Sequence, residues 1–163
     1  LLFVGINPGL WTAATQTHFA HPGNRFYPAL LAAGIIDRPI DSAAGMSEAD
    51  RDYMRQRGIA ISNLVHRATA RADELTLPEL REGAEALRAL ADKVQPRVLA
   101  MAGITSWRQA FADRKAQVGE QPQRWGTTRI WVVPNPSGLN AHHTIATLAE
   151  AYAEPARAAG VIA

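Results

Sequence analysis

Cysteine is absent from the sequence, which excludes disulfides, thiol nucleophiles, thiolate zinc sites and iron–sulfur clusters together. No apolar run approaches the roughly 18–20 residues of a membrane helix, and nothing has the form of a signal peptide. A soluble, intracellular protein with no membrane partner is expected. Strong charge of either sign is also missing, since 17 Lys and Arg against 15 Asp and Glu leave a formal net charge of +2. Nucleic-acid binding is permitted by that balance, and its phosphate contacts have to come from a local basic face. The Gly-x-Gly-x-x-Gly fingerprint of dinucleotide-binding oxidoreductases and the Gly-Lys-Ser/Thr run of a P-loop are both absent. Neither internal repeats nor low-complexity stretches occur.

What is present suits one compact domain over residues 1–163: 47% hydrophobic and 20% charged residues can bury a core without metals. The chain opens inside an apolar run, Leu1-Leu2-Phe3-Val4, which reads as a strand already under way and leads us to expect residues before it. Short apolar runs at Leu1–Ile6, Ile59–Val65, Val98–Ala102 and Ile130–Val133 have the character of buried parallel strands. Leu77, Leu80, Ala84, Leu87 and Leu90 recur at helical spacing, and Thr76 with Glu79 forms a capping-box signature at the start. Further helical patterns run from Asn24 to Ala33, closed by Gly34, from Thr105 to Ala112 and from Thr144 to Ala156. The polar stretch Asp37–Arg57 reads as helix mixed with surface loop. Alternation of strand and helix predicts an α/β fold, a three-layer α/β/α domain with a short, mostly parallel sheet of about four strands. Its ligand crevice should lie at the carboxyl ends of those strands.

Two loops of the same character leave that edge. The first strand runs into Gly5-Ile6-Asn7-Pro8-Gly9, and the fourth into Pro134-Asn135-Pro136-Ser137-Gly138-Leu139. Asn, Pro and Gly make rigid bends with exposed backbone N–H groups, suited to an anion or the edge of a base. Either loop alone reads as turn punctuation, whereas two at strand ends point to a site.

Gly5-Ile6-Asn7-Pro8-Gly9-Leu10, then His18-Phe19-Ala20-His21-Pro22-Gly23-Asn24-Arg25-Phe26, then Asn135-Pro136-Ser137-Gly138-Leu139, resembles the mismatch-specific uracil-DNA glycosylases and their thymine-DNA glycosylase relatives. The resemblance extends to the helix containing Glu150-Ala151-Tyr152. It implies the uracil-DNA glycosylase fold and a monomeric hydrolase that flips a pyrimidine out of DNA and cuts its glycosidic bond. The implied partner is duplex DNA bearing uracil or a mismatched pyrimidine, with single strands an open alternative, and no cofactor or metal is implied.

By the same resemblance Asn7 holds the attacking water, an amide that orients but does not deprotonate. Phe19 stacks on the extruded base, Ile6 and the backbone around Gly9 line the opposite wall, and Thr12 and His18 are candidates for the Watson–Crick edge. Gly138-Leu139-Asn140, carried by Asn135-Pro136-Ser137, corresponds to the wedge, with Leu139 filling the hole left by the flipped nucleotide. Two departures stand out. Ala141-His142-His143 follows the wedge where bacterial relatives commonly place an Arg, and Asp73 stands where relatives tend to carry an amide. Asp73 is read either as a general base or sugar-cation partner, or as a charge at a helix start. Gly103 and Thr105, where the third strand turns into a helix, are candidates for a DNA phosphate or for simple capping. Arg67, Arg71, Arg108 and Arg124 are candidates for a basic rim. The rival from another class is a noncatalytic module that captures a flipped base without cleaving it.

Overall fold

The computed structural model describes residues 1–163. Its strands are β1 (Leu2–Gly5), β2 (Ala60–Asn63), β3 (Val98–Ala102), β4 (Gly119–Trp125) and β5 (Thr128–Val133). The helices are α1 (Leu10–Thr15), α2 (Phe26–Ala32), α3 (Glu48–Gln56), α4 (Leu77–Val94), α5 (Ile104–Ala110) and α6 (Ile145–Ala158). The strands form one sheet in the order β2-β1-β3-β5-β4, parallel except for β4, which pairs antiparallel with β5.

Strict alternation along the central strands divides their side chains between two cores. Phe3, Val98, Ala100, Ala102, Trp131 and Val133 face one side and pack with Phe26 and Leu30 of α2 and Leu148 and Tyr152 of α6. Leu2, Val4, Leu99, Met101, Ile130 and Val132 face the other and pack with Leu80, Ala84 and Leu87 of α4 and Trp107 of α5. Because both faces are covered, the strands read as continuous apolar runs, and the three-layer α/β/α architecture follows.

The sheet has five strands rather than about four. The additional one, β4, has the sequence Gly-Glu-Gln-Pro-Gln-Arg-Trp and alternates buried Gln121 and Trp125 with exposed positions. It lies at the edge, where Pro122 lacks no ladder bond that a central strand would need, and its register shifts between Glu120 and Arg124. Helix α1 is likewise additional, six residues with none buried. The Asp37–Arg57 stretch resolves into irregular chain followed by α3.

At the start of α4, Thr76 Oγ1 accepts from the Glu79 backbone N–H at 3.3 Å while Glu79 accepts from the Thr76 N–H at 2.7 Å. Arg67 Nε donates to the same carboxylate at 2.5 Å, and these bonds pull the Glu79 carboxyl down to about 2. Replacing Thr76 with Ala should lower stability by about 1 kcal/mol, measured by denaturant unfolding. A loss indistinguishable from zero would show that the cap does not contribute to the start of this helix.

Candidate active site

In this strand order β2 lies on one side of β1 and β3 on the other, so chains leaving β1 and β3 diverge and open a crevice between them. A cleft of about 1110 Å³ occupies that position, lined by residues at the carboxyl ends of all four parallel strands: Ile6 and Asn7 after β1, Asn63 in β2, Gly103 after β3 and Asn135 after β5. Its size exceeds the roughly 300–1,000 Å³ usual for small-ligand pockets, as an opening that admits part of a polymer requires.

Asn7 is fixed by the loop that follows β2. Its Nδ2 donates to the Arg67 carbonyl at 3.0 Å and to Thr69 Oγ1 at 2.7 Å, and the Thr69 hydroxyl passes its own proton to the Arg71 carbonyl at 2.6 Å. A carbonyl only accepts, so the amide nitrogen must face Arg67, and both of its protons are used. Asn7 Oδ1 is left as an unengaged acceptor on a residue that lines the cleft. Thr69 is 6% exposed, and sequence reasoning missed it.

Phe19 stacks on the fully buried Phe26 with ring centroids 4.1 Å apart, and it adopts φ 56°, a left-handed conformation rare for a bulky residue. Such a backbone costs on the order of 1–3 kcal/mol and persists where surroundings over-determine it. One of those surroundings is Gly5, where a Cβ would lie 2.8 Å from Asn63 Oδ1 and 3.1 Å from Phe19 Cζ. Phe19, Ile6, Gly9 and Thr12 all line the cleft.

His18 is placed differently from its expected position. It does not line the cleft but stands behind Asn63, with its Nδ1 at 3.2 Å from Asn63 Nδ2. Burial, then His66 and Arg51, hold the imidazole below its ordinary range, and because the Asn63 amide nitrogen only donates, His18 Nδ1 is the acceptor in this contact. Asn63 is the cleft-facing member of this pair, 9% exposed at the last position of β2. Sequence reasoning passed over it, although a polar residue closing an apolar run was a visible signal.

The loop that follows β5 is held by its backbone. Arg25 donates through Nη2 to the Ser137 and Asn140 carbonyls at 2.7 and 2.8 Å and through Nη1 to the His143 carbonyl, and its own N–H donates to the Pro136 carbonyl. Asn135 accepts from the Ser137 N–H at 2.9 Å, and Asn140 Nδ2 donates to the Asn135 carbonyl at 3.0 Å. A Cβ on Gly138 would meet the Gly23 carbonyl at 2.8 Å, so only glycine lets the loops approach this closely. Pro136 is buried beneath the loop, whereas Leu139 is 86% exposed. Of the eight exposed large hydrophobic residues, Leu10, Trp11, Val118 and Leu139 line this cleft.

Gly103 and Thr105 also line the cleft. Asp73 does not, contrary to its expected place beside the sugar. Its carboxylate is bound by Arg71 Nε and Nη2 at 3.0 and 2.8 Å, its side chain is 67% exposed, and the Arg71 guanidinium lowers its carboxyl from the ordinary value. It sits in the short 3-10 turn Ala72–Glu74, and Glu79 rather than Asp73 caps α4. No aspartate or glutamate lines the cleft at all.

Amides, hydroxyls and an aromatic ring thus gather at the carboxyl edge of a parallel sheet, beside an exposed apolar rim. The chain belongs to the uracil DNA glycosylase superfamily, whose model matches residues 1–155. Membership supports a DNA glycosylase activity, that of a hydrolase acting on DNA. No helix is long and apolar enough to cross a membrane.

The His18 contact has a pH signature. A group that binds its proton less readily when folded makes the fold weaker as pH falls below its ordinary value of 6.5, until the folded form is protonated as well. Between about pH 7.5 and about pH 5, the wild type should therefore lose more unfolding free energy than His18→Gln, which keeps an acceptor toward Asn63. Equal losses would remove His18 from this role.

Proposed function

We propose that this chain is a monofunctional glycosylase that turns uracil out of DNA, hydrolyses its bond to deoxyribose and leaves an abasic site. Mismatched pyrimidines in duplex DNA are its natural targets. The observation that carries this reading is the free Oδ1 of Asn7 in a cleft without any carboxylate.

A site of this kind orients water without deprotonating it. That suffices for N-glycoside hydrolysis when the C1′–N1 bond breaks early, its electron pair leaving on the base and the sugar gaining oxocarbenium character. Asn7 Oδ1 accepts a hydrogen bond from the water, whose oxygen lone pair then bonds to C1′; the proton the water gives up passes to solvent, and the departing base anion takes one from solvent. Phe19 offers the stacking surface, Asn63 the polar contact to the base edge, and Leu139 the filler for the gap in the duplex. Asp73 has no part in this scheme.

Asn7→Ala should slow single-turnover excision of uracil by about 100-fold or more while affinity for uracil-containing DNA stays near that of the wild type. Asp73→Asn should retain the wild-type rate and pH profile. Near-normal excision by Asn7→Ala would sink the assignment, and binding without release of free uracil by the wild type would leave a capture module in place of an enzyme.

Leu139→Ala should reduce excision from duplex DNA more than from single strands, because only a duplex leaves a hole to fill. Equal loss on both substrates would make Leu139 an ordinary surface residue.

A further inference from the structure

Beside the cleft, a second groove of about 690 Å³ runs between α4 and the far end of α5. Arg81, Arg108 and Arg114 line it together with Thr105 and Gln109, and no carboxylate does. Arg81 and Arg114 are exposed and make no hydrogen bond or ion pair within the protein. Arg108 is held in place by donating Nε and Nη2 to the Ala116 carbonyl at 2.9 and 2.7 Å. The five ion pairs of the chain use Arg38, Arg55, Arg67, Arg71 and Arg129, so none of the three groove guanidiniums is paired with a carboxylate.

The grouping depends on a specific backbone feature. Ala112 takes φ 52° directly after α5, and the Asp113 N–H donates to the Arg108 carbonyl at 3.0 Å. This left-handed turn by a residue other than glycine ends the helix and folds Arg114 back to the groove that Arg108 lines. Thr105 lines both the groove and the cleft, so the two adjoin at this residue.

We propose that this groove is a phosphate track for the DNA strand flanking the flipped nucleotide. The inference rests on DNA being the ligand of the neighbouring cleft. A strand places one phosphate for roughly every 3.4 Å of helix axis, so a chain entering the cleft past Thr105 sets its next phosphates against the three guanidiniums. Their planar forks match phosphate oxygens in pairs. The track reads no bases, and its contribution is electrostatic and therefore dependent on salt.

The test compares wild type, the double variant Arg81→Gln with Arg114→Gln, and Arg157→Gln, the last on α6 at the opposite end of the sheet. Affinity for a duplex of about 20 base pairs carrying one uracil opposite guanine is measured across potassium chloride concentrations. Loss of two phosphate contacts should lower the slope of log Kd against log salt by about 1.8 in the double variant and leave Arg157→Gln unchanged. Excision at saturating DNA should stay at the wild-type rate, and binding of a three-nucleotide substrate too short to reach the groove should not change. Single charge reversal, Arg114→Glu, should move the slope in the same direction and serves if the double variant is unstable. An unchanged slope, or equal weakening on short and long substrates, overturns the track. Should wild type bind DNA but release no uracil while the double variant still lowers the slope, the glycosylase reading fails and the track survives.

Discussion

Arg25 joins two distant parts of the chain, and the geometry of the loop after β5 depends on it. The segment from Pro134 to His143 contains two prolines and a glycine and forms neither helix nor strand, so its carbonyls need partners from elsewhere. An unpaired buried carbonyl costs about 1–3 kcal/mol. Arg25, at the N-cap of α2, supplies donors to three of these carbonyls and a backbone N–H to a fourth. The buried Tyr152 hydroxyl of α6 supplies another to Pro134 at 2.9 Å. Both anchors stand on helices packed into the same core, and Arg25 Nε is left without a partner. The loop is thereby held rigid by its backbone while Leu139 remains free of the protein.

A second constraint ties the loops after β1 and β2. Gly5, Ile6 and Pro8 carbonyls accept from Leu64, Val65 and Thr69 N–H groups, and the Asn7–Thr69–Arg71 chain of bonds continues the connection through side chains. This ordering costs entropy in advance of any ligand. What it secures is an amide oxygen with one available direction, and preorganised acceptors and donors contribute to catalysis because nothing has to rearrange as charge develops. With no carboxylate in the cleft, no acidic side chain is at hand there to act as a base.

Sequence periodicity revealed the layers because each buried strand is apolar on both faces, and the Thr76–Glu79 cap was legible because it is local. β4 was not legible, since an edge strand needs only one buried face and tolerates Pro122. The long-range roles were also hidden. Arg25 acts across 112 to 118 residues and His18 across 45, distances over which no local pattern carries information. Asn7 was legible through its loop, but the reason its oxygen is free lies in Thr69, 62 residues away. Of the two readings of Asp73, the structure agrees with the charge at a helix start: it stands in the first turn of the Ala72–Glu74 3-10 helix, paired with its near neighbour Arg71.

The apolar rim bears on what the fold must meet. Leu10 is 62% exposed, Trp11 44% and Leu139 86%, and the Trp11 indole is held by donating Nε1 to the Ala43 carbonyl at 2.6 Å. Exposed leucine and tryptophan gathered at one opening disfavour the free protein in water, since each forgoes the 1.5–3 kcal/mol that burial of a large side chain gives at about 25 cal/mol per Å². Within the same opening the polar groups are amides, hydroxyls, the imidazoles of His21, His142 and His143 and the Arg71 guanidinium, with no acidic side chain to repel a polyanion. A surface that is apolar at its rim, free of carboxylates in its cleft and basic in the adjoining groove suits the proposed ligand in three separate ways. On that proposal base faces would meet the rim, a base edge the amides and phosphates the guanidiniums, so burial forgone in the free protein would be recovered when a strand lies across all three.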